Sequence, residues 1–191
     1  MKKGPRKNRR GEIVTATIRL VARQGMRAAT IRQIAQASGV TEGAIYRHFS
    51  SKEDLCHQAY CQIVAEMAAA KEQLVASQRP LRDKLREWIQ VSYAYFDHYP
   101  EAFTYVLLTP HAFTEDPEGI TSQQGQLLMH LIRQVSRQGQ MPPVQPVMAL
   151  CFFTGMMLNI PRLINEGALK GPASRYTDEV AEAVWRVFKL T

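Results

Sequence analysis

The stretch TIRQIAQASGVTEGAIYRHFSSK, residues 30–52, has the pattern of two short helices joined by a tight turn and followed by the start of a third helix. Thr30 can cap the first helix, and Gln33, three residues later, completes a capping box. Gly39 lies where the turn needs a residue that tolerates a positive φ angle. Thr41 can then cap the second helix. The stretch therefore predicts a helix-turn-helix.

The two helices have apolar positions on one side and small or polar positions on the other. The apolar side of the first helix is formed by Ile34, Ala35 and Ala37. On the second helix, Val40, Ile45 and Phe49 are predicted to point back at the first. The residues predicted to face outward on the second helix are Glu42, Gly43, Ala44, Tyr46, Arg47 and His48. A surface with such small residues can enter a DNA major groove. The alternative is an ordinary helical hairpin within a helical protein.

Positive charge is concentrated around this motif. Residues 1–52 contain twelve Lys or Arg residues and only two acidic residues, Glu12 and Glu42, which gives a net charge of +10. The whole chain carries +7, so residues 53–191 carry −3. A basic end on a slightly acidic body is typical of a DNA-binding module attached to a second domain. An ordinary hairpin does not account for this distribution.

Across about residues 9–55 the sequence resembles the DNA-binding domain of the TetR/AcrR family of transcriptional regulators. The segments that carry the resemblance are a first helix ending at Gly25, Thr30-x-x-x-Ile34-Ala35, Gly39-Val40, Ile45-Tyr46-Arg47-His48-Phe49 and Ser51-Lys52-Glu53-Asp54-Leu55. The rest of the chain resembles the family only in length and helical character. The resemblance implies a helix-turn-helix domain with a basic N-terminal arm over residues 1–54. It further implies a helical ligand-binding and dimerisation domain over residues 55–191.

Both the resemblance and the residue chemistry predict which positions touch DNA. Phosphate contacts are expected at the helix N-termini, and from side chains on both sides of the groove; these residues are Thr30, Thr41, Tyr46, His48 and Lys52. Base contacts are expected from Arg32, Glu42, Gly43, Ala44 and Arg47. Arg47 can bind guanine, Glu42 can accept from cytosine, and Ala44 can contact a thymine methyl group. Gly43 departs from the bulkier residue frequent in relatives and offers no side-chain contact.

The basic residues before the motif form a predicted arm with two open interpretations. The arm contains Lys2, Lys3, Arg6, Lys7, Arg9 and Arg10. It can lie along the DNA backbone or in a minor groove. Alternatively, it is a solvated tail that only raises general affinity for DNA.

Composition predicts a globular protein of the cytoplasm. Hydrophobic residues make up 46% of the chain and charged residues 21%. The three cysteines are odd in number and lack CxxC spacing, which favours free thiols and a reducing compartment. The basic N-terminus lacks the apolar core of a signal peptide. The most apolar run, Val144 to Ile160, is expected to be too short to span a bilayer and to form a helix buried on all sides. No membrane partner is predicted.

Helix start and stop signals recur along the chain, and no strand alternation is visible, so the expected fold is all-α with about nine helices. The first predicted helix runs from about Arg9 to Gln24, and the fourth from Ser50 or Ser51 to about Ser77. The fifth helix begins near Pro80 and the sixth near Pro100. The last three run from Asp116-Pro117-Glu118 to Gly139, from about Val144 to Glu166, and from Thr177 onward. Met141-Pro142-Pro143 is a predicted linker.

The last two helices predict a dimer. The eighth helix is apolar around most of its circumference, and the ninth has a stripe formed by Val180, Val184, Val187 and Phe188. Two copies of this helix pair can form a four-helix bundle, as the TetR resemblance implies. The alternative is that both apolar faces pack in the core of one subunit. Two identical hairpins about one DNA turn apart, roughly 34–36 Å, would bind a palindrome.

Aromatic and methionine side chains of the body suggest a ligand pocket with a few polar groups. The predicted ligand-binding residues are Trp88, Tyr93, Phe96, Tyr99, Phe103, Met129, Phe152 and Met156. Most such stripes are simply core, and the pocket is chiefly what the family resemblance implies.

No pattern in the sequence predicts catalysis, a cofactor or a metal. Cys56, His57 and Cys61 lie near one another in sequence, but the two cysteines are five residues apart and face different sides of a helix. Asp97, His98 and Glu101 have no accompanying nucleophile or phosphate loop. An enzyme is therefore not predicted.

These observations predict a cytoplasmic, homodimeric repressor that binds a palindromic operator in double-stranded DNA. A small hydrophobic or aromatic effector is expected to enter the body and release the protein from DNA. The alternative is a DNA-binding protein of the same fold whose body is regulated by a protein partner.

Overall fold

A computed structural model describes residues 8–109, 123–139 and 144–189. Its α-helices are α1 (Arg9–Gln24), α2 (Ile31–Ser38), α3 (Glu42–Tyr46), α4 (Lys52–Ala76), α5 (Leu81–His98), α6 (Pro100–Phe103), α7 (Gln123–Arg137), α8 (Pro146–Asn165) and α9 (Thr177–Phe188). A π-helical turn (Thr104–Leu108) continues α6, and a 3-10 turn (Ala173–Tyr176) precedes α9. The described residues contain no β-strand, and the predicted all-α fold is confirmed.

The first helix begins and ends where the sequence predicts. The side chain of Asn8 accepts a hydrogen bond of 3.1 Å from the backbone N–H of Gly11 and caps the N-terminus. Gly25 ends the helix with φ of 80°, a conformation that favours glycine. The buried side of α1 packs on α2 and on the first half of α4. These helices share one core with α3.

The long helix α4 connects the N-terminal motif to the body without a break. Ser51 caps its first turn by accepting a hydrogen bond of 3.0 Å from the backbone N–H of Asp54. The buried ammonium of Lys84 donates a hydrogen bond of 2.9 Å to the carbonyl of Val75, in the last turn. A cation is favourable there because helix carbonyls without partners carry partial negative charge. A displacement of α4 would therefore change the contacts at both of its ends.

Helices α5, α7, α8 and α9 pack with α4 to form the body. Its largest fully buried aromatic side chains are Trp88, Tyr93, Tyr105, Phe103 and Phe153. Asp97 near the end of α5 accepts hydrogen bonds from the backbone N–H groups of Ala173 and Ser174, which holds the 3-10 turn against α5. The body is therefore built around one aromatic core.

Helix α8 corrects two expectations. It has 20 residues with a mean hydropathy of 1.6 over its most apolar window, so by length and composition alone it could cross a membrane. Only 28% of that window is buried within the subunit, so the helix is not covered on all sides. The exposed residues of its outer face are Val147, Met148, Cys151, Phe152, Gly155 and Asn159. None of the described helices covers this outer face.

Two predicted features lie outside the described residues. These are the helix start at Asp116-Pro117-Glu118 and the linker Met141-Pro142-Pro143. The later part of the helix predicted to begin at Asp116 is seen as α7, and Gly139 follows it with φ of 66°.

Candidate nucleic-acid interface and the interior of the body

The helix-turn-helix forms through the local contacts that the sequence predicts. The hydroxyl of Thr30 accepts a hydrogen bond of 3.2 Å from the backbone N–H of Gln33. The side chain of Gln33 in turn accepts one of 3.0 Å from the backbone N–H of Thr30, which completes the capping box. Gly39 adopts a left-handed conformation with φ of 65°. The hydroxyl of Thr41 caps α3 by accepting from the backbone N–H of Ala44 at 3.2 Å.

These contacts leave a polar surface open to solvent on α2 and α3. The predicted contact residues that are exposed on it are Thr30, Arg32, Thr41, Glu42, Gly43, Tyr46, Arg47 and His48. Tyr46 keeps 54% of its surface exposed, which is unusual for an aromatic side chain without a partner to cover it. No atom lies within 4 Å of where a Cβ on Gly43 would point, so the surface is open at that position. Hydroxyl, carboxylate and guanidinium groups thus share one accessible face.

Ala44 does not belong to that face. It is only 7% exposed and lies beside Ile45, which is fully buried. With five residues, α3 is shorter than two turns and buries two consecutive side chains. The outward position predicted for Ala44 is therefore wrong, and the contact of its methyl group with a thymine stays a prediction.

Lys52 is engaged within the fold, which the sequence does not predict. Its half-buried side chain donates hydrogen bonds of 3.1 Å and 3.2 Å to the carbonyls of Met26 and Ala29. Those carbonyls belong to the loop between α1 and α2, so Lys52 fastens the start of α4 to the motif. The contact of Lys52 with a phosphate stays a prediction, and the ammonium already has two acceptors.

Part of the predicted arm is helical. Arg9 and Arg10 form the first turn of α1. The guanidinium of Arg10 lies 5.3 Å from the centroid of the Phe49 ring and donates a hydrogen bond of 2.6 Å to Gln58. These two residues therefore are not part of a free tail, and the other four arm residues, Lys2, Lys3, Arg6 and Lys7, lie outside the described residues.

The π-helical turn contacts α4 directly. The hydroxyl of Tyr105 donates a hydrogen bond of 2.7 Å to the carbonyl of Cys56, and burial raises the pKa of that hydroxyl far above its usual range. The hydroxyl of Thr104 accepts a hydrogen bond of 2.9 Å from the side chain of Asn165 on α8. The turn therefore connects α4 to α8. π-helical turns occur frequently at functional sites but have no simple sequence signal, so this connection was missed.

Most of the predicted ligand-binding residues lie in the interior of the body. Trp88, Tyr93, Phe96, Phe103 and Met129 are buried, and Met156 is half-buried. The hydroxyl of Tyr93 donates a hydrogen bond of 2.9 Å to the carbonyl of Met157 on α8. The rings of Phe96 and Phe103 meet edge to face with centroids 5.3 Å apart. Whether this interior opens to a ligand stays a prediction.

Two of the predicted ligand-binding residues are not in the interior. Tyr99 is 60% exposed and packs at the surface on Tyr95, with ring centroids 5.2 Å apart. It follows the last residue of α5, so the helical spacing of the buried aromatics does not extend to it. Phe152 is 41% exposed on the outer face of α8. Both residues therefore lie outside the interior in which the ligand pocket is predicted.

The interior also holds a lysine that was not predicted. Lys71 on α4 is 1% exposed, and its ammonium donates a hydrogen bond to the side-chain oxygen of the buried Gln124 on α7. It also lies 4.9 Å from the centroid of the Trp88 ring. The sequence carried a signal, because Lys71 stands at helical spacing between Met67 and Leu74, two buried apolar residues of the same helix.

Metal-ligating side chains do not gather in the part of the chain that the structure describes. No group of three or more His, Cys, Asp or Glu residues could hold a metal ion there. The Sγ atom of Cys61 lies 3.5 Å from Nε2 of His57, one helical turn away, and all three cysteines are free thiols.

Comparisons with known proteins agree with the geometry of the N-terminal motif. Residues 13–59 match the family model described as bacterial regulatory proteins of the tetR family. The HTH-type transcriptional repressor KstR2 of Rhodococcus jostii is 33% identical over 89 residues, which are 47% of this chain and 44% of that protein. The chain thus spans less than half the length of this relative in the alignment.

Solved structures extend the likeness to the whole fold. A TetR family transcription regulator from Marinobacter aquaeolei superimposes with a TM-score of 0.79 at 20% identity, covering 93% of this chain and 94% of that one. The transcriptional regulator FadR of Bacillus subtilis, in complex with stearoyl-CoA, superimposes with a TM-score of 0.76 at 17% identity, covering 91% and 96%. Residues 13–59 therefore form a DNA-binding motif of the TetR family of bacterial regulatory proteins, and the chain shares the overall fold of a solved TetR family structure.

Proposed function

We propose that the protein is a transcriptional repressor that binds a palindromic operator as a homodimer and leaves it when a small apolar or aromatic effector enters the body. The observation that carries the proposal is the exposed polar face of α2 and α3 on a basic N-terminal segment. In this proposal residues 1–54 form the DNA-binding domain and residues 55–191 the ligand-binding and dimerisation domain. The protein acts in the cytoplasm.

The DNA-binding step uses the two helix N-termini and the side chains beside them. Thr30 and Thr41 place backbone N–H groups where phosphates can bind, with Tyr46 and His48 on the groove edges. Arg32, Glu42 and Arg47 carry the groups that can bind base edges, and Gly43 lets the backbone of α3 approach the groove. The buried Ile45 and Phe49 hold α3 in place beneath this face.

The dimer is proposed to form through α8 and α9. The outer face of α8 exposes Val147, Met148 and Phe152, and the end of α9 exposes Val187. Gly155 and Asn159 on the same face of α8 allow another backbone to approach closely. Pairing this surface with a second copy by a two-fold axis would bury both apolar faces and form a four-helix bundle. It would also set the spacing of the two DNA-binding domains.

The effector is proposed to act through α4. The Bacillus subtilis fold neighbour holds stearoyl-CoA, which carries a long apolar chain, and the interior of this body is apolar and aromatic. A ligand that separates α4 from α5 and α7 would displace the start of α4, where Lys52 is bonded to Met26 and Ala29. The spacing of the two DNA-binding domains then no longer fits successive major grooves.

The second candidate is a protein of the same fold whose body binds a protein partner in place of a small molecule. The exposed apolar surface of α8 favours it, because such surfaces also bind other proteins. Loss of DNA binding on addition of a small molecule alone would decide against it.

The proposal is tested by selecting duplexes from a random-sequence pool with the purified protein. We expect enrichment of an inverted repeat, bound by two subunits. The enriched duplex is then used in competition assays with a library of apolar and aromatic compounds. Enrichment of no sequence would contradict the DNA-binding step. Compounds that raise the melting temperature but leave operator affinity unchanged would contradict release through α4.

A further inference from the structure

The interior of the body contains a cation, Lys71, that has no counter-ion among the described residues. Within residues 8–109, 123–139 and 144–189, its ammonium has one hydrogen-bond acceptor, the neutral side-chain oxygen of Gln124, and faces the ring of Trp88. None of the ion pairs formed within the described part of the chain involves this lysine. Lysine has three N–H donors, so Lys71 is buried with unmet hydrogen-bonding capacity.

This arrangement is costly for the folded protein. A buried charge is normally paired, because removal from water without compensation costs several kcal/mol in general. Lys84, the other buried lysine among the described residues, is compensated by a carbonyl in the last turn of α4. Lys71 lies in the turn before the last turn of α4, and its ammonium donates to Gln124 on α7 and not to the end carbonyls of α4. Unpaired polar groups of this kind are found where a ligand supplies the missing partner.

The side chain of Gln124 has unmet capacity next to Lys71. Its amide nitrogen is 3.5 Å from the sulfur of Met67, which is a weak acceptor. An amide N–H and an ammonium thus lie side by side on α7 and α4, and neither donates to an anion in the described structure. Two adjacent donors with one positive charge match a carboxylate, which has two oxygens and one negative charge.

We propose that Lys71 and Gln124 bind the carboxylate of an apolar monocarboxylic acid, and that such an acid is the effector. The inference rests on the proposed function, since it names the class of molecule that enters the body. The acid's aliphatic or aromatic part lies among the buried side chains around Trp88. A phosphate dianion fits less well, because one lysine would leave a negative charge unpaired inside the body.

Binding also links the acid to α4 itself. Lys71 lies on the helix that begins at Lys52, and Gln124 lies on α7. The Lys71–Gln124 hydrogen bond uses one N–H group of the ammonium and the amide oxygen, so the other ammonium N–H groups and the amide N–H groups can donate to the carboxylate. The carboxylate then bridges α4 and α7, which changes how α4 packs against α7.

Protonation provides a specific readout. Burial lowers the pKa of Lys71 to about 7, and no charged neighbour contributes to the shift. The groups that face it from α5 and α7, Trp88 and Gln124, do not titrate in this range. An adjacent carboxylate favours the charged amine and raises its pKa again. At pH 8 the binding of an acid is therefore expected to be accompanied by the uptake of about one proton per site by Lys71. The binding of an amide should take up none.

The experiment uses straight-chain acids of graded length and phenyl-substituted alkanoic acids, each paired with its primary amide, together with dodecanoyl-CoA. Binding is measured by calorimetry in two buffers of different ionisation enthalpy. Tryptophan fluorescence of the W185F variant follows it independently, because the chain has two tryptophans and Trp88 is the one that remains. We expect acids to bind about tenfold or more tightly than their amides, as for one charge-assisted hydrogen bond.

The decisive variant is K71M, which replaces the lysine by an apolar side chain of similar length. Removing an uncompensated charge is expected to leave the fold intact, and K71Q serves as a second, polar variant. Both should lose the preference for acids and the proton uptake, while amides bind as before. K84M is the matched control: it removes the other buried lysine and should retain the preference.

Equal binding of acids and amides to the unmodified protein, or a preference that survives in K71M and K71Q, would overturn the inference. If only amides or dodecanoyl-CoA bind, and they release the operator, the proposed function stands and the inference is wrong. If no compound of either class binds while the operator is still bound, both the inference and the proposed small-molecule effector are wrong.

Discussion

The ammonium of Lys52, in the first turn of α4, donates a hydrogen bond of 3.2 Å to the carbonyl of Ala29, immediately before the helix-turn-helix. A second bond, of 3.1 Å, reaches the carbonyl of Met26. The helix that carries Lys71 inside the body is therefore fastened to the loop that positions α2. This contact gives a displacement of α4 a direct route to the DNA-binding face.

The first prediction concerns this contact. Lys52→Met is expected to lower the free energy of unfolding by about 1–3 kcal/mol, because it leaves two carbonyls of the loop without a charged donor. Chemical denaturation measures the effect. Arg27→Ala is the control, since Arg27 is an exposed cation in the same loop and its loss should change stability by under about 0.5 kcal/mol. Equal losses in the two variants would show that the Lys52 bonds do not stabilise the fold.

The second prediction separates base recognition from general attraction to DNA. Arg47→Ala is expected to cost about 1–3 kcal/mol per half-site on the operator and to relax preference at one base pair. Its side chain is exposed on the same face as Glu42 and Gly43. Titrations with operator and random duplexes measure it, and Arg79→Ala, an exposed arginine of the body, is the control. If Arg47→Ala weakens both duplexes equally, Arg47 binds only phosphate.

The helix-turn-helix could be predicted from sequence because short-range contacts build it. Thr30 and Gln33 cap each other within one turn, and Gly39 supplies a backbone conformation that few other residues adopt. Ala44 was misplaced because periodicity is a poor guide in a five-residue helix. Such a helix can bury two neighbouring positions without completing a second turn.

The interior of the body was harder to predict because long-range contacts decide it. Tyr93 and Met157 are 64 residues apart in sequence, and Tyr105 and Cys56 are 49 apart. No local pattern indicates either pair. Phe152 was placed in the pocket because α8 is apolar around most of its circumference, so periodicity cannot tell its inner side from its outer side.

The third prediction tests the connection between the π-helical turn and α4. Tyr105→Phe removes the hydrogen bond to the carbonyl of Cys56 and is expected to lower stability by about 1 kcal/mol. It should also increase the effector concentration needed to release the operator, because the π-helical turn and α4 are then less tightly connected. Denaturation and competition assays measure the two effects.

Tyr176→Phe is the matched control for Tyr105→Phe. It removes a hydrogen bond of 2.9 Å from a tyrosine to the carbonyl of Lys170, far from α4 in sequence and outside the connection to the motif. Release of the operator by effector should be unchanged in this variant. If both tyrosine variants respond to effector as the unmodified protein does, the turn does not transmit the effect of the ligand.

The fourth prediction concerns the outer face of α8. Phe152→Glu places a negative charge on the exposed apolar surface and is expected to yield monomers that bind a single half-site weakly. Analytical ultracentrifugation and operator titration measure this. Tyr99→Glu is the control, because Tyr99 is also an exposed aromatic residue but follows α5 and is not part of α8. A Phe152→Glu protein that remains dimeric would place the interface elsewhere.

The fifth prediction follows from the pKa of Lys71, which is about 7 in the folded protein against 10.5 for a free lysine. Between these values the unfolded chain binds more protons than the folded one, so the free energy of unfolding rises with pH. The slope contributed by this group is about 1.4 kcal/mol per pH unit, and below about pH 7 it vanishes. Lys71→Met has no such group, and it should be the more stable protein near pH 7.

The difference in the free energy of unfolding between Lys71→Met and the unmodified protein should then shrink by about 2 kcal/mol or more between pH 7 and pH 9. Urea denaturation of both proteins at several pH values measures the difference, in which the contributions of all other titrating groups cancel. Lys84→Met provides the comparison, since Lys84 has a carbonyl acceptor in the last turn of α4. A constant difference between Lys71→Met and the unmodified protein over this range would mean that Lys71 stays protonated inside the fold, and that its charge is compensated.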